Sequence, residues 1–142
     1  MPLSRQTITL KARLSELDRL VTFVDGFCAP FPTTEPDRHA LHLALEEAFT
    51  NVVQHGYHED ELQSMELELE LSAGQITATL VDEAPAFDPL AQAEVDTTAP
   101  LETRAIGGLG VHLIKKLMDS ALYARRDGRN VLTLVRTIGS TR

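Results

Sequence analysis

LHLALEEAFTNVVQHGY, residues 41–57, is the stretch on which the fold turns. At about 100° per residue, Leu41, Leu45, Ala48 and Val52 fall on one stripe of a helix, the face that must meet a core. Glu47 and Asn51 stand one turn apart, about 40° from each other around the axis, at the flank of that stripe. A carboxylate and a carboxamide at a core boundary need partners. Two uses fit them. One is a solvated helix edge; the other is a nucleotide site, with the Asn51 carbonyl oxygen on Mg²⁺ and Glu47 accepting a proton from an attacking hydroxyl. Glu46 falls on the other flank, in a structural or solvent-facing place. The pattern predicts a helix from Asp37 to about Gln54, after the proline-rich break APFPTTEP.

Upstream, residues 3–11 read as an edge strand, and Ser15 with Asp18 as a capping pair opening a helix on Leu17, Leu20, Val21, Val24, Phe27 and Cys28. Downstream, MELELEL (65–71) alternates strictly and turns at Ala73-Gly74 into QITATLV (75–81), an antiparallel hairpin. From Asp88 to Ile106 neither period holds, and a loop of that length in a small domain suits a lid or binding element. A helix from Leu109 to Met118 and a second hairpin around Asp127-Gly128 (121–126 and 131–137) complete the order. These elements predict a two-layer α/β (α+β) sandwich: a mixed, mostly antiparallel sheet with helices on one face.

With 142 residues, 43% of them hydrophobic, the chain suits one domain spanning 1–142. It shows no apolar run of membrane-spanning or signal-peptide length, and its single cysteine, Cys28, suits a reducing cytoplasm. The net charge of −8 argues against a nucleic-acid partner, since phosphate backbones need a basic surface. His39, His42, His58 and His112 form no metal-ligand pattern; Lys115, Lys116, Arg125 and Arg126 read as solvated.

Two further segments bear on the helix flank. LVDEAPAFDPL (80–90) places Asp82 straight after an apolar strand, where a carboxylate can accept from an amine such as that of adenine. RAIGGLGV (104–111) sets Gly107, Gly108 and Gly110 just before a helix, where open backbone N–H groups can hold phosphate oxygens; without Gly-Lys-Ser/Thr it is no Walker loop. In this order the three segments resemble the N, G1 and G2 boxes of the GHKL superfamily. EAFTNVVQHGY is similar to E-A-x-x-N-x-x-x-H-G-Y, and DEAPAFDP to D-x-G-x-x-F-D-P. LETRAIGGLGVHLIKKLMD is similar to the lid end and G2 helix of the anti-sigma-factor serine/threonine protein kinases.

That resemblance implies a Bergerat-type ATP-binding fold with a lid at about 88–106, Asn51 on Mg²⁺ bound to ATP, and Glu47 as general base. It implies Asp82 on adenine, and Gly107, Gly108 and Gly110 with the N–H groups of Leu109 and Val111 along the phosphates. Arg104 would approach the terminal phosphates and stabilise transfer. His55 and Gly56 would close the helix beside the nucleotide, with His55 turned back towards the apolar stripe; Phe87 would pack at the core and Asp88 fix the turn. Ala84 stands where the family has glycine, which puts a methyl group where the backbone approaches the base. The activity implied is a cytoplasmic, homodimeric anti-sigma-factor kinase that phosphorylates a STAS-type antagonist and binds a sigma factor. The alternatives are an ATP-binding partner-switch module without phosphotransfer and a detached sensor-kinase-like catalytic domain.

Overall fold

The structure is a computed structural model and describes residues 4–58, 62–91 and 106–139. Strand β1 (Ser4–Lys11) leads into helix α1 (Leu17–Cys28), then α2 (Glu35–Asn51), strands β2 (Ser64–Ser72) and β3 (Gln75–Asp82), helix α3 (Ile106–Leu117), and strands β4 (Ser120–Arg126) and β5 (Arg129–Thr137). The sheet has five strands in the order β1-β2-β3-β5-β4. Every described pairing is antiparallel, so the sheet holds no parallel pair among the described residues. The alternation in β2 is kept: Met65, Leu67, Leu69 and Leu71 are buried, while the glutamates between them face away from the helices.

Both hairpins turn where the sequence places them. Ala73 and Gly74 have φ of 52° and 73°, and Asp127 and Gly128 have 51° and 78°, the paired left-handed residues of a tight two-residue turn. The α2 stripe meets the sheet as its spacing requires, with Leu41, Leu45 and Ala48 at most 1% exposed. In the helical layer α2 touches both α1 and α3. A reciprocal capping box opens α2: the Thr34 hydroxyl accepts from Asp37 N at 3.1 Å, and Asp37 accepts from Thr34 N at 3.0 Å.

Three local expectations are corrected. Ser15 does not cap α1, because a 3₁₀ turn over Leu14–Glu16 carries the chain into the helix without a side-chain cap. Buried Glu16 instead reaches back to accept from Lys11 N at 2.9 Å and from Arg19 at 2.7 Å. Those donors, the Lys11 amide first, hold its carboxyl below the ordinary range against the cost of burial. Helix α3 begins at Ile106 rather than Leu109, so the three glycines lie inside its first turns instead of ahead of it. Glycine weakens a helix by only about 1 kcal/mol per residue, which the run of good apolar positions behind it can offset. Finally, α2 does not run regularly to Gln54: a π-turn occupies Val52–Gly56, closed by Tyr57 N to Val52 O at 2.7 Å.

Candidate active site

A cleft opens between the end of α2 and the sheet. Ala48, Asn51, Val52 and Gly56 form its helical wall, Leu80 and Asp82 of β3 with Leu132 and Asn130 of β5 its floor, and Phe87, Pro89 and Tyr123 its rim. Counted out to solvent it has about 350 Å³ of empty space, but its enclosed part has room for about one water. A base can enter only when the rim gives way.

Asn51 is 3% exposed, and its Nδ2 is the one buried side-chain polar atom among the described residues without a hydrogen-bond partner. An orphaned donor of this kind costs roughly 1–3 kcal/mol, so its position on a cleft wall indicates a site completed by an outside group. Glu47, one turn earlier, is half-buried and does not line the enclosed part of the cleft. Burial raises its pKa; the charge of His55 and the neighbouring Asn51 amide oppose that shift, although Nδ2 makes no bond of proper geometry. A carboxyl with a raised pKa is a better proton acceptor than a fully solvated one.

Asp82 is 5% exposed and accepts at Oδ1 from Asn130 Nδ2 at 2.8 Å and from Ala84 N at 3.0 Å. Its pKa is raised, because burial outweighs Asn130, the Ala84 amide and the Arg125 charge. Oδ2 keeps no hydrogen bond among the described residues and remains an acceptor for a ligand. Ala84 is 1% exposed, has φ outside the left-handed region and does not line the cleft. Its methyl faces Gly56 instead, where an added Cβ would come 3.2 Å from Ala84 Cβ. The methyl group thus fills a gap that glycine at 56 leaves, and does not crowd the base position.

The π-turn corrects the reading of His55. Widening the helix reduces the rotation per residue, so His55 falls short of the apolar stripe and is exposed, while Gly56 is buried on the cleft wall. Phe87 is half-buried at the rim rather than in the core, and Asp88 fixes its turn by accepting from Leu90 N at 2.8 Å. Gly107, Gly108, Leu109, Gly110 and Val111 lie in the opening turns of α3, whose first four N–H groups have no intrahelical acceptor. Arg104 and most of the lid at 88–106 lie outside the described residues. No group of three or more His, Cys, Asp or Glu that could hold a metal occurs among the described residues, and His42 pairs with Asp25 at 2.8 Å.

Sequence reasoning missed Asn130, Tyr123 and Arg125. Asn130 joins Asp82 to the turn beyond it; Arg125, read as solvated, donates to Ala84 O at 2.7 Å and to Asn130 Oδ1 at 3.1 Å. Tyr57 adds a second tie, its hydroxyl accepting from Glu83 N at 2.7 Å and donating to Ser64 O at 3.0 Å. A signal existed for Asn130: in β5 the inward positions Asn130, Leu132, Leu134 and Arg136 are polar at both ends.

The family described as Histidine kinase-like ATPase domain matches residues 10–136. The chain is 31% identical over 134 residues to the serine-protein kinase RsbW of Halalkalibacterium halodurans, covering 92% of this chain and 80% of that protein. It is 30% identical over 97 residues to the serine/threonine-protein kinase BtrW of Bordetella bronchiseptica, covering 68% of each. Among solved structures, the RsbU and RsbW domains of a Mycobacterium tuberculosis protein superpose with a TM-score of 0.69 at 18% identity, over 96% of this chain and 33% of that one.

Proposed function

We propose that this chain, which belongs to the histidine kinase-like ATPase domain family, is an ATP-dependent protein serine/threonine kinase acting as an anti-sigma factor. The observation that carries the nucleotide reading is the orphaned Asn51 amide on the wall of a cleft that also holds Asp82 with one oxygen unspent. The curated names of relatives matched over most of this chain support a kinase.

Each residue has a task the geometry permits. Oδ2 of Asp82 accepts from the exocyclic amine of adenine, while its Oδ1 is already bonded. Leu80, Leu132 and Val52 give the base apolar walls. The Asn51 carbonyl oxygen is the single hard donor that would hold a magnesium ion, and the orphaned Nδ2 would donate to a phosphate oxygen; with no acidic cluster among the described residues, phosphate and water oxygens would make up the remaining ligands. Bound there, such an ion would neutralise charge on the phosphate oxygens. The opening N–H groups of α3 receive phosphate oxygens. Arg104, outside the described residues, would meet the terminal phosphate as the family resemblance implies. Glu47 takes the proton of the attacking hydroxyl as its oxygen bonds to the γ-phosphorus and the bond to the β-phosphate oxygen breaks.

The hydroxyl belongs, in this proposal, to a STAS-type antagonist, whose phosphorylation releases it and frees the kinase surface for a sigma factor. We place the protein in the cytoplasm as a single-domain homodimer. The test is transfer from labelled ATP to the cognate antagonist. Glu47→Ala should keep ATP binding and lose transfer by roughly 10²–10⁴-fold, the usual worth of a general base. Wild type that binds ATP and phosphorylates no cognate partner would instead make this a partner-switch module without phosphotransfer.

A further inference from the structure

Asn130, the second residue of β5, lies directly across from Asp82, its register partner, and its side chain reaches six groups. Nδ2 donates to Asp82 Oδ1 at 2.8 Å, Pro85 O at 3.2 Å and Ala84 O at 3.3 Å. Oδ1 accepts from the Tyr123 hydroxyl at 2.5 Å, Arg125 at 3.1 Å and Phe87 N at 3.3 Å. A carboxamide has only two N–H groups and two lone pairs, so these bonds are shared, and the short ones carry most of the interaction. The short bonds, to Asp82 and Tyr123, stay within the sheet. The long ones hold the turn that bears Phe87 at the cleft rim.

We propose that Asn130 is a positioning residue for base recognition: its amide fixes Asp82 as an acceptor, and its further bonds tie the 84–87 turn to the same carboxylate. Because Nδ2 can only donate, it occupies Oδ1 of Asp82 and leaves Oδ2 as the face offered to the base. A base with an amine at that place is accepted, and one with a carbonyl meets a lone pair. The turn is anchored apart from Asn130 as well, by Arg125 to Ala84 O at 2.7 Å and Ala84 N to Asp82 Oδ1 at 3.0 Å, so the Asn130 bonds of 3.2–3.3 Å supplement a turn already tied to the recognition carboxylate. This rests on the ATP reading above.

The test compares the affinities of ATP and of ITP, whose base carries a carbonyl in place of the adenine amine. Asn130→Asp keeps the shape but sets a second carboxyl against Asp82, and two carboxyls so close share a proton. Asp82 can then donate as well as accept. ATP affinity should fall roughly tenfold to hundredfold, the range for a buried bond to a charged group, while ITP loses little or gains. The ATP-to-ITP preference should therefore drop by at least about tenfold. A role confined to stability would weaken both nucleotides alike, so a folded Asn130→Asp protein with the wild-type preference overturns the proposal.

Should Asn130→Asp fail to fold, Arg125→Met decides. Arg125 is exposed and off the cleft lining, yet it donates to Asn130 Oδ1, so its loss should lower the preference by about threefold. An unchanged preference there is equally fatal. Wild type that binds neither nucleotide would sink the ATP reading itself, whereas wild type that binds ATP with a preference indifferent to residues 125 and 130 sinks only the role of Asn130.

Discussion

At the scale of single residues, the cleft depends on side chains that are costly where they stand. Glu47 and Asp82 both have raised pKa values, each chiefly because burial disfavours the charged form. For Glu47 the native state holds its proton to higher pH than the unfolded chain, whose value is near 4.5. Stability from this group therefore declines as pH rises from about that value through the raised one, and the charged form that the proposed general base requires appears over the same interval. The kcat of transfer should rise with pH through a midpoint above 4.5, and Glu47→Gln should abolish that acidic limb. Asp82 titrates in the free protein, so its protonation should appear in kcat/KM and not in kcat. An acidic limb of kcat that survives in Glu47→Gln would assign the proton to another group. Most of these residues were legible beforehand because the Glu47 to Asn51 interval and the acid after β3 are local patterns. Asn130 was not, since its partners lie at Asp82 and Ala84–Pro85, far away in sequence.

At the scale of elements, periodicity foretold the faces of α1, α2 and β2 but not where the regular geometry ends. The stripe of α2 stays in phase through Ala48 and is then offset by the π-turn, which no spacing rule registers; hence the misplaced His55. Because glycine is a poor helix former, the pattern sets the glycines of α3 ahead of the helix, yet the helix includes them. Turn chemistry was read more securely, and it carries a prediction. Ala73 sits at φ 52°, a left-handed conformation that costs an L-residue with a Cβ roughly 1–2 kcal/mol, next to Gly74 in open space. Ala73→Gly relieves that strain and loosens the unfolded chain in return, so a net gain of about 0.5–1 kcal/mol should appear in urea unfolding. A loss of stability would mean that the methyl group packs usefully in the turn.

At the scale of the whole molecule, the sheet, the capped start of α2 and the end of α3 are tied by one buried ion pair. Arg136 meets Asp37 at 3.0 Å, with their side chains 6% and 0% exposed, and donates to Leu117 O at 2.7 Å. Asp37 also accepts from Gly139 N at 2.8 Å, so Arg136, Gly139 and Thr34 all donate to the carboxylate that caps α2. Breaking such a pair leaves a buried charge unpaired, so the helical layer cannot part from the sheet at this end without that cost. The cleft lies at the opposite end of α2 from this anchor, with its walls drawn from α2, β3, β4 and β5. Ligation at Asn51 should therefore stabilise the fold as a unit. The decisive measurement is the thermal midpoint of wild type and of Asn51→Ala, each with and without Mg²⁺-ATP. At a hundred times Kd the nucleotide should add about 2.7 kcal/mol to wild type, raising its midpoint by several degrees, and add little to the variant. Equal shifts in the two proteins, or none in wild type, would contradict the nucleotide site.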